Sequence, residues 1–312
     1  MDWIEKKIQG IVNDRRHGAA QLASTAIKIL MAVCRRSESS DLETLLLEVK
    51  RTAFSLAESR PSMAPIRNWS LVFAHRFRQQ TAAGLSIRDA KRQGILIGEE
   101  LLAQQKRFVH QQVEAAKVLL GRCRCVLTLS YSSTVESILR YALPTGCRVI
   151  IAESRPLMEG RRLFKNLIDT PADIRMITDA QMGLVVPTAD LVLVGADTVL
   201  SDLAVVNKTG TYLAALVAHS HLRDFFVAAD TYKINPAVDS HKCTLESKSG
   251  KEVWPRQQDH CQNVYFDITP AQFVTGFVSE EGILDAAEMR THVLRWQRLA
   301  ETLQIENPDP QE

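Results

Sequence analysis

Long hydrophobic runs are missing from this sequence, and none reaches the roughly 18 apolar residues that a membrane-spanning helix requires. The N-terminal stretch MDWIEKKIQG is charged and lacks the apolar core of a secretory signal peptide. An excess of one charge is missing too, because 38 Lys and Arg stand against 36 Asp and Glu. Balanced charge gives no field that favours nucleic acid or a membrane. We therefore expect a cytoplasmic globular protein that binds neither.

Cysteine is sparse, and its six residues are too scattered for a disulfide framework, so we expect reduced thiols. The grouping of His241, Cys243, His260 and Cys261 lacks the C-x₂-C spacing of structural zinc sites. We interpret it as a coincidence in a polar loop and predict no metal, and we expect the nearby Trp254 to be a packing residue. No P-loop, G-x-G-x-x-G fingerprint or interleaved basic and aromatic pattern occurs, so no cofactor or RNA site is predicted.

Helical patterns fill the first part of the chain. One apolar face at helical spacing contains Leu22, Ala26, Ile29, Leu30 and Val33. Further helices are predicted over 41–58, over 66–82 and over 86–120, where Ser86 can cap the last of them. These segments predict a helical N-terminal domain over residues 1–120.

Short apolar runs alternate with helix-length segments after residue 120. The predicted strands are 125–129, 148–152, 174–178, 191–195, 225–229 and 263–268. This alternation is typical of a parallel, doubly wound sheet in an α/β protein. We therefore predict a Rossmann-like ligand-binding domain with a mainly parallel sheet over 121–300 and a flexible tail over 301–312. Within the domain, the polar stretch 235–262 is predicted to be an excursion from the sheet or a long loop.

The carboxyl ends of parallel strands are where such sheets bind ligands. Ser130 follows the first strand, and Ser133 and Glu136 have capping-box spacing, which predicts a helix starting at Thr134. The hydroxyl cluster there can bind an anion or can simply cap the helix. Arg155 follows the second strand, either as a phosphate ligand or as a solvated side chain.

The richest strand end is the one after 191–195. Asp197 follows the strand, and Asn207 and Lys208 precede a Thr-Gly-Thr turn at 209–211 that opens the next helix. Backbone donors of the turn, a cation and a base together suit a phosphorylated or polyhydroxy ligand. A structural Asp–Lys pair at the strand–helix junction is the alternative.

Seven segments in fixed order carry a family resemblance. They are DRRHGAAQLA (14–23), RPSMAPIRN (60–68), LTLSYSSTV (127–135), ESRPLMEGRRL (153–163), VGADTVLSDLAVVNKTGT (194–211), ADTYKINP (229–236) and YFDITPAQFVTGFVSEEGI (265–283). Together they resemble the family that contains the α, β and δ subunits of translation initiation factor 2B, ribose-1,5-bisphosphate isomerase and methylthioribose-1-phosphate isomerase. The resemblance implies a helical N-terminal domain, a Rossmann-like domain, a site between them, and dimers or larger homo-oligomers.

The isomerases of this family use a cysteine and an aspartate to convert an aldose phosphate to a ketose. The aspartate matches Asp197, but the cysteine position matches Ser130. A serine hydroxyl is a far weaker acid than a thiol and needs an adjacent base. Cys123 and Cys125 precede the first strand, so we expect them at its opposite end.

A second departure is at the N-terminus, where the isomerases have an arginine before Gly-Ala to hold phosphate. Here the triplet begins with His17 and Gly18, after Arg15 and Arg16, and a histidine is a weaker phosphate anchor at neutral pH. The other family positions that contact ligand are matched by Arg60, Arg155, Asn207, Lys208 and Lys233.

Three hypotheses follow for function. The first is a regulatory, non-catalytic subunit that binds a phosphorylated sugar or nucleotide and acts by assembly with itself or with a translation-factor partner. The second is an aldose–ketose isomerase in which Asp197 is the acid/base residue and Ser130 or a water replaces the thiol. The third is a structural subunit without a ligand.

Overall fold

The fold is that of a computed structural model, which describes residues 2–15, 17–81 and 84–304. Within those ranges no helix combines the length and the apolar character needed to cross a bilayer. The chain divides into two compact units, a helical unit of Met1–Arg107 with Arg295–Glu312 and a sheet unit of Phe108–Leu294. The predicted class, α/β with a helical N-terminal region and a mainly parallel sheet, is confirmed.

The helical unit contains the predicted helices and one more at its start. Its helices are α1 (Asp2–Val12), α2 (Ala19–Arg36), α3 (Leu42–Glu58), α4 (Ala64–Thr81) and the first part of α5 (Ile87–Leu120). All five residues of the apolar face predicted for the first helix are buried in α2. Ala82, the predicted end of the third helix, lies outside the described residues.

Local capping explains where two of these helices begin. Asp41 Oδ1 accepts a hydrogen bond from Thr44 N at 2.8 Å at the start of α3. Ser86 Oγ accepts one from Asp89 N at 3.1 Å, which confirms the predicted cap of α5. Glycine then lets α5 approach α2 closely, since a Cβ added at Gly98 would lie 2.2 Å from Met31 Cγ.

The sheet unit is built on a seven-stranded sheet in the order β11-β10-β7-β4-β1-β2-β3, in which only β11 runs antiparallel to its neighbour. Its strands are β1 (Cys125–Leu129), β2 (Arg148–Ala152), β3 (Asp173–Ile177), β4 (Leu191–Gly195), β7 (Asp224–Ala228), β10 (Gly276–Ser279) and β11 (Gly282–Leu284). Helices of this unit are α6 (Ser133–Tyr141), α7 (Gly160–Leu167), α8 (Met182–Val185), α9 (Thr211–Ser220) and the first part of α10 (Ala286–Gln304). Every residue of β4 is buried, as expected for a central parallel strand.

A second, four-stranded sheet in the order β8-β5-β6-β9 was not predicted. Its strands are β5 (Thr198–Leu200), β6 (Val205–Lys208), β8 (Ile234–Asn235) and β9 (Phe266–Thr269). The assignment of 263–268 to the parallel sheet is therefore wrong, because β9 pairs antiparallel with β6. The place next to β7 belongs to β10, where Gly276 allows close packing against Phe226.

The unit boundary falls inside α5 rather than at the first strand. Val113, Ala116 and Leu120 of α5 belong to the hydrophobic core of the sheet unit. At the other end, Leu299 of α10 packs against Ala57 and Leu71 in the helical unit. Sequence patterns mark where strands begin, whereas packing decides which helical turns belong to which core. Of the predicted tail, 301–304 continue α10 and 305–312 lie outside the described residues.

Candidate functional site

The four-stranded sheet brings together residues that are ten positions apart in the chain. Asp197 N donates to Val206 O at 2.9 Å, which places Asp197 beside Asn207 on the neighbouring strand β6. On the other side of β6, Asn207 is in register with Asp267 of β9. A row of acid, amide and acid therefore crosses this sheet directly before α9.

Lys208, the next residue of β6, has a different environment. Its side chain is only 5% exposed, and its Nζ lies 2.8 Å from Glu159 Oε1 and 4.8 Å from the centre of the Tyr265 ring. The alternative of an Asp197–Lys208 pair is therefore wrong, because the ion-pair partner is Glu159, in the segment between β2 and α7. Consecutive side chains of a strand project to opposite faces, which separates Lys208 from the row that contains Asn207.

The backbone donors of the 209–211 turn are already used inside the protein. Gly210 N and Tyr212 N donate to Asp267 Oδ2 at 2.7 and 3.2 Å, and Thr209 N donates to Tyr265 O at 2.8 Å. The turn does open α9 as predicted, with Gly210 at φ 107°. Its expected role as an anion cradle is contradicted, because a carboxylate of the chain occupies the positive end of the helix.

Asp267 is a site residue that the sequence reasoning missed. Burial raises its pKa to about 6, although the backbone donors of Gly210, Tyr212 and Thr211 oppose the shift. Its Oδ1 atom is buried and has no hydrogen-bond partner within the described ranges. The only signal in the sequence was its place in the YFDITP stretch, which reveals no contact with a turn 57 residues away.

Ser130 and the cap of helix α6 lie at the carboxyl end of β1. Ser130 is buried and has a positive φ of 61°. The helix cap is one residue earlier than predicted, because Ser132 Oγ accepts from Val135 N at 3.3 Å and α6 begins at Ser133. Glu136 does not complete a capping box but accepts from Asn166 Nδ2 at 3.0 Å.

Cysteine thiols lie at the other end of the same strand. Cys125 is the first residue of β1 and Cys123 precedes it, so the expectation for both is confirmed. Cys147 directly precedes β2, which runs parallel to β1. Burial raises the pKa of Cys123 to about 11 and that of Cys147 to about 12, so both are protonated near neutrality.

Comparison with known proteins identifies the family of this chain. Residues 15–286 match the model of the Initiation factor 2 subunit family. The chain belongs to this family. It is 31% identical over 283 residues to an eIF-2B subunit 2-like protein of Pyrococcus furiosus, covering 90% of this chain and 96% of that one. The resemblance inferred from the sequence is confirmed.

Two further relatives are named for two different activities. The ribose 1,5-bisphosphate isomerase of Thermococcus kodakarensis is 26% identical over 292 residues, covering 88% of each chain. The solved structure of a Pyrococcus horikoshii translation initiation factor eIF-2B has a TM-score of 0.78 at 29% identity, covering 92% of this chain and 98% of that one. The family therefore contains proteins named as translation factors and proteins named as isomerases.

The N-terminal family positions lie together within the helical unit. Arg60 is buried and its Nη1 donates to Asp14 O at 3.0 Å, while its Nε is buried without a hydrogen-bond partner in the described part of the chain. His17 is half-exposed, with Nδ1 2.8 Å from Asp14 Oδ2. Gly18 is the N-cap residue of α2. Arg16 lies outside the described residues.

Arg155 and Trp254 are both exposed. Arg155 N donates to Asp179 Oδ2 at 2.7 Å, and its guanidinium donates to Val253 O at 3.1 Å. Trp254 is 57% exposed, so the expectation of a packing residue is wrong. Within 2–15, 17–81 and 84–304, no group of three or more His, Cys, Asp and Glu side chains is arranged to hold a metal.

Lys233 is a second buried lysine of the sheet unit. Its side chain follows β7 in a short turn and donates from Nζ to Ala228 O at 3.5 Å. Asp230 and Thr231 belong to the same turn, and Thr231 contacts the carboxylate of Glu280. Of this group, only Lys233 was predicted, from its match to a family position. Nothing in the sequence marks Asp230 or Glu280 as neighbours of this lysine.

Proposed function

We propose that this chain is an initiation-factor-2B-like protein that binds a phosphorylated sugar or nucleotide without isomerising it. The observation that carries the proposal is Ser130, which occupies the carboxyl end of β1 where the resemblance implies the isomerase cysteine. The cysteines at the sheet, Cys123, Cys125 and Cys147, lie at or before the starts of β1 and β2. None of these three supplies a thiol at the position of Ser130.

The loss of the thiol affects catalysis more than binding. Isomerisation requires a group that gives up and regains a proton near neutral pH, which a serine hydroxyl does poorly. Binding requires cationic groups that can meet phosphate, and Lys208 and Lys233 are 4% and 3% exposed. Buried ammonium groups are costly unless an anion or hydrogen-bond acceptors compensate them. Glu159 already compensates Lys208, whereas Lys233 makes only a long hydrogen bond to Ala228 O, so the burial of Lys233 is what supports a ligand that carries negative charge.

A working isomerase is the second candidate. Asp197 directly precedes β5 and lies beside Asn207 of β6, and the T. kodakarensis relative is named as an isomerase of ribose 1,5-bisphosphate. In this reading Asp197 moves the proton and Ser130, or a water in its place, completes the pair. The third candidate is a structural subunit, for which replacing Lys208 or Lys233 should not change the binding of any ligand.

Phosphorus NMR of the purified protein separates these candidates. The ligands are ribose 1,5-bisphosphate, methylthioribose 1-phosphate and nucleoside monophosphates. We expect line broadening without conversion, lost in Lys208→Ala and kept in the exposed control Lys165→Ala. Conversion of aldose to ketose that Asp197→Asn abolishes would instead establish the isomerase. If none of these ligands shows either broadening or conversion, the structural subunit is favoured.

Assembly is the second part of the proposal, and it concerns α9. Its inner residues Ala214, Ala215 and Ala218 are buried, while Leu213 and Leu216 are exposed on its outer side. A helix that is apolar on both sides is usually covered on both sides. We propose a homodimer or larger homo-oligomer that covers this helix, with a translation-factor partner as the alternative. Light scattering should report an oligomer that Leu216→Glu weakens.

A further inference from the structure

Two acids contact one turn of the sheet unit. Asp230 begins the turn, and its Oδ1 accepts from Tyr232 N at 3.1 Å. Thr231 donates from Oγ1 to Glu280 Oε1 at 2.6 Å, and its N lies 3.1 and 3.2 Å from the two Glu280 oxygens. Lys233 ends the turn, with its N donating to Asp230 O at 3.0 Å. Glu280, in the connection between β10 and β11, therefore holds a turn that lies 49 positions away in the sequence.

Lys233 is the least satisfied group of this cluster. Its ammonium has three hydrogens to donate, yet its one hydrogen bond among the described residues is the long one to Ala228 O, at 3.5 Å. No carboxylate of the described chain lies within 4.0 Å of its Nζ. Asp230 is still close enough for the lysine charge to oppose the rise that burial causes in the pKa of Asp230. A buried ammonium in this condition is a ready partner for an anionic group.

We infer that Glu280 is a positioning residue that controls, through the Thr231 turn, how strongly Lys233 attracts an anionic ligand. This inference rests on the proposed function, because it concerns the same phosphate-recognising site. Glu280 does not need to touch the ligand. It holds the turn that carries Lys233 through Thr231, and each proton that it gains or loses changes the charge of this cluster by one unit.

The environment of Glu280 places this change near neutral pH. Burial raises the pKa of Glu280 to about 7, and repulsion from Asp230 adds to the rise, while the Thr231 hydrogen bonds oppose it. Burial also raises the pKa of Asp230, against the effect of Lys233. The charged group that acts on Glu280 is therefore Asp230 of this turn. Above pH 7 the ionised Glu280 weakens the attraction of Lys233 for anions, and below pH 7 the attraction is restored.

Sulfate is the probe for this inference, because it stays a dianion from pH 6 to pH 8. Affinity is obtained from the rise of the unfolding temperature with sulfate, against chloride at equal ionic strength. We expect sulfate to bind the wild type at least about fivefold more tightly at pH 6 than at pH 8, the lower end of common couplings between sites. In Glu280→Gln, which keeps the shape and an acceptor oxygen for Thr231, the affinity should be the same at both pH values.

Glu281→Gln is the matched control. Glu281 is the next residue, is 48% exposed and lies 3.4 Å from His292 Nε2, so its loss should leave the pH dependence of sulfate binding unchanged. The inference is overturned if wild type and Glu280→Gln share one pH dependence, if Glu281→Gln removes it, or if sulfate does not bind. Binding of ribose 1,5-bisphosphate without any effect of Glu280→Gln would overturn this inference and leave the proposed function standing. If the variant fails to fold, carbon-13 NMR of the wild type decides, because a Glu280 carboxyl that titrates below pH 5 contradicts the inference.

Discussion

Asp267 should make this protein less stable as the pH rises, and replacing it with asparagine should remove that loss. Burial raises its pKa from 3.8 to about 6 in the folded state. Its contribution is therefore complete below pH 3.8 and is lost as the pH rises through about 6. A shift of about two units corresponds to about 3 kcal/mol, taken as an upper value for a partly buried group.

Urea unfolding of wild type and Asp267→Asn between pH 4 and pH 8 measures this effect. Asparagine keeps an oxygen that can accept from Gly210 N and Tyr212 N but carries no charge. Relative to wild type, the variant should therefore gain up to about 3 kcal/mol in free energy of unfolding between pH 4 and pH 7. The exposed Asp259, changed to asparagine, controls for the loss of one negative charge. A difference between Asp267→Asn and wild type that stays constant with pH would refute the reasoning.

Three further changes test the packing, a cap and the proposed loss of catalysis. Gly98→Ala should lower the free energy of unfolding by about 1–3 kcal/mol, because its Cβ would lie 2.2 Å from a methionine side chain of α2. The control Gly10→Ala, whose Cβ would have nothing within 4 Å, should be neutral or should stabilise by about 0.5–1 kcal/mol. Ser132→Ala should cost about 1 kcal/mol in urea unfolding by removing the cap of α6, and an equal loss in Ser133→Ala would contradict that assignment. Ser130→Cys should create measurable aldose–ketose conversion in phosphorus NMR if the missing thiol is what limits catalysis, and its absence in a folded, ligand-binding variant would show that another group is also missing.

Asp267 also explains how an energetically unfavourable residue serves the site. Its carboxylate fixes the first turn of α9 through Gly210 and Tyr212, and Asn207 Nδ2 donates to Thr211 Oγ1 at 3.0 Å in the same turn. The hydroxyl of Thr211 in turn donates to Lys208 O at 2.6 Å. The end of β6 is thus held rigidly, at the expense of burying an acid.

Periodic patterns predicted the elements of this protein well. The apolar face of α2, the cap of α5 and the fully buried strand β4 all follow from interactions within one segment. The apolar runs also predicted that Ser130 follows β1 and that Asp197 follows β4, as the structure shows. Such features depend on residue type and on neighbours only a few positions away, which the sequence displays directly.

Tertiary structure alone decided the partners. Lys208 pairs with Glu159, Asp267 takes the donors of Gly210, and Glu280 holds the turn at Thr231, contacts that span 49, 57 and 49 positions of the chain. The same holds for β9, which pairs in the small sheet although its pattern also suits the large one. The sequence by itself thus determined which segments are helices and strands and which residue types stand at their ends. Which side chains meet there depends on strand order and register, because these bring distant segments within hydrogen-bonding distance.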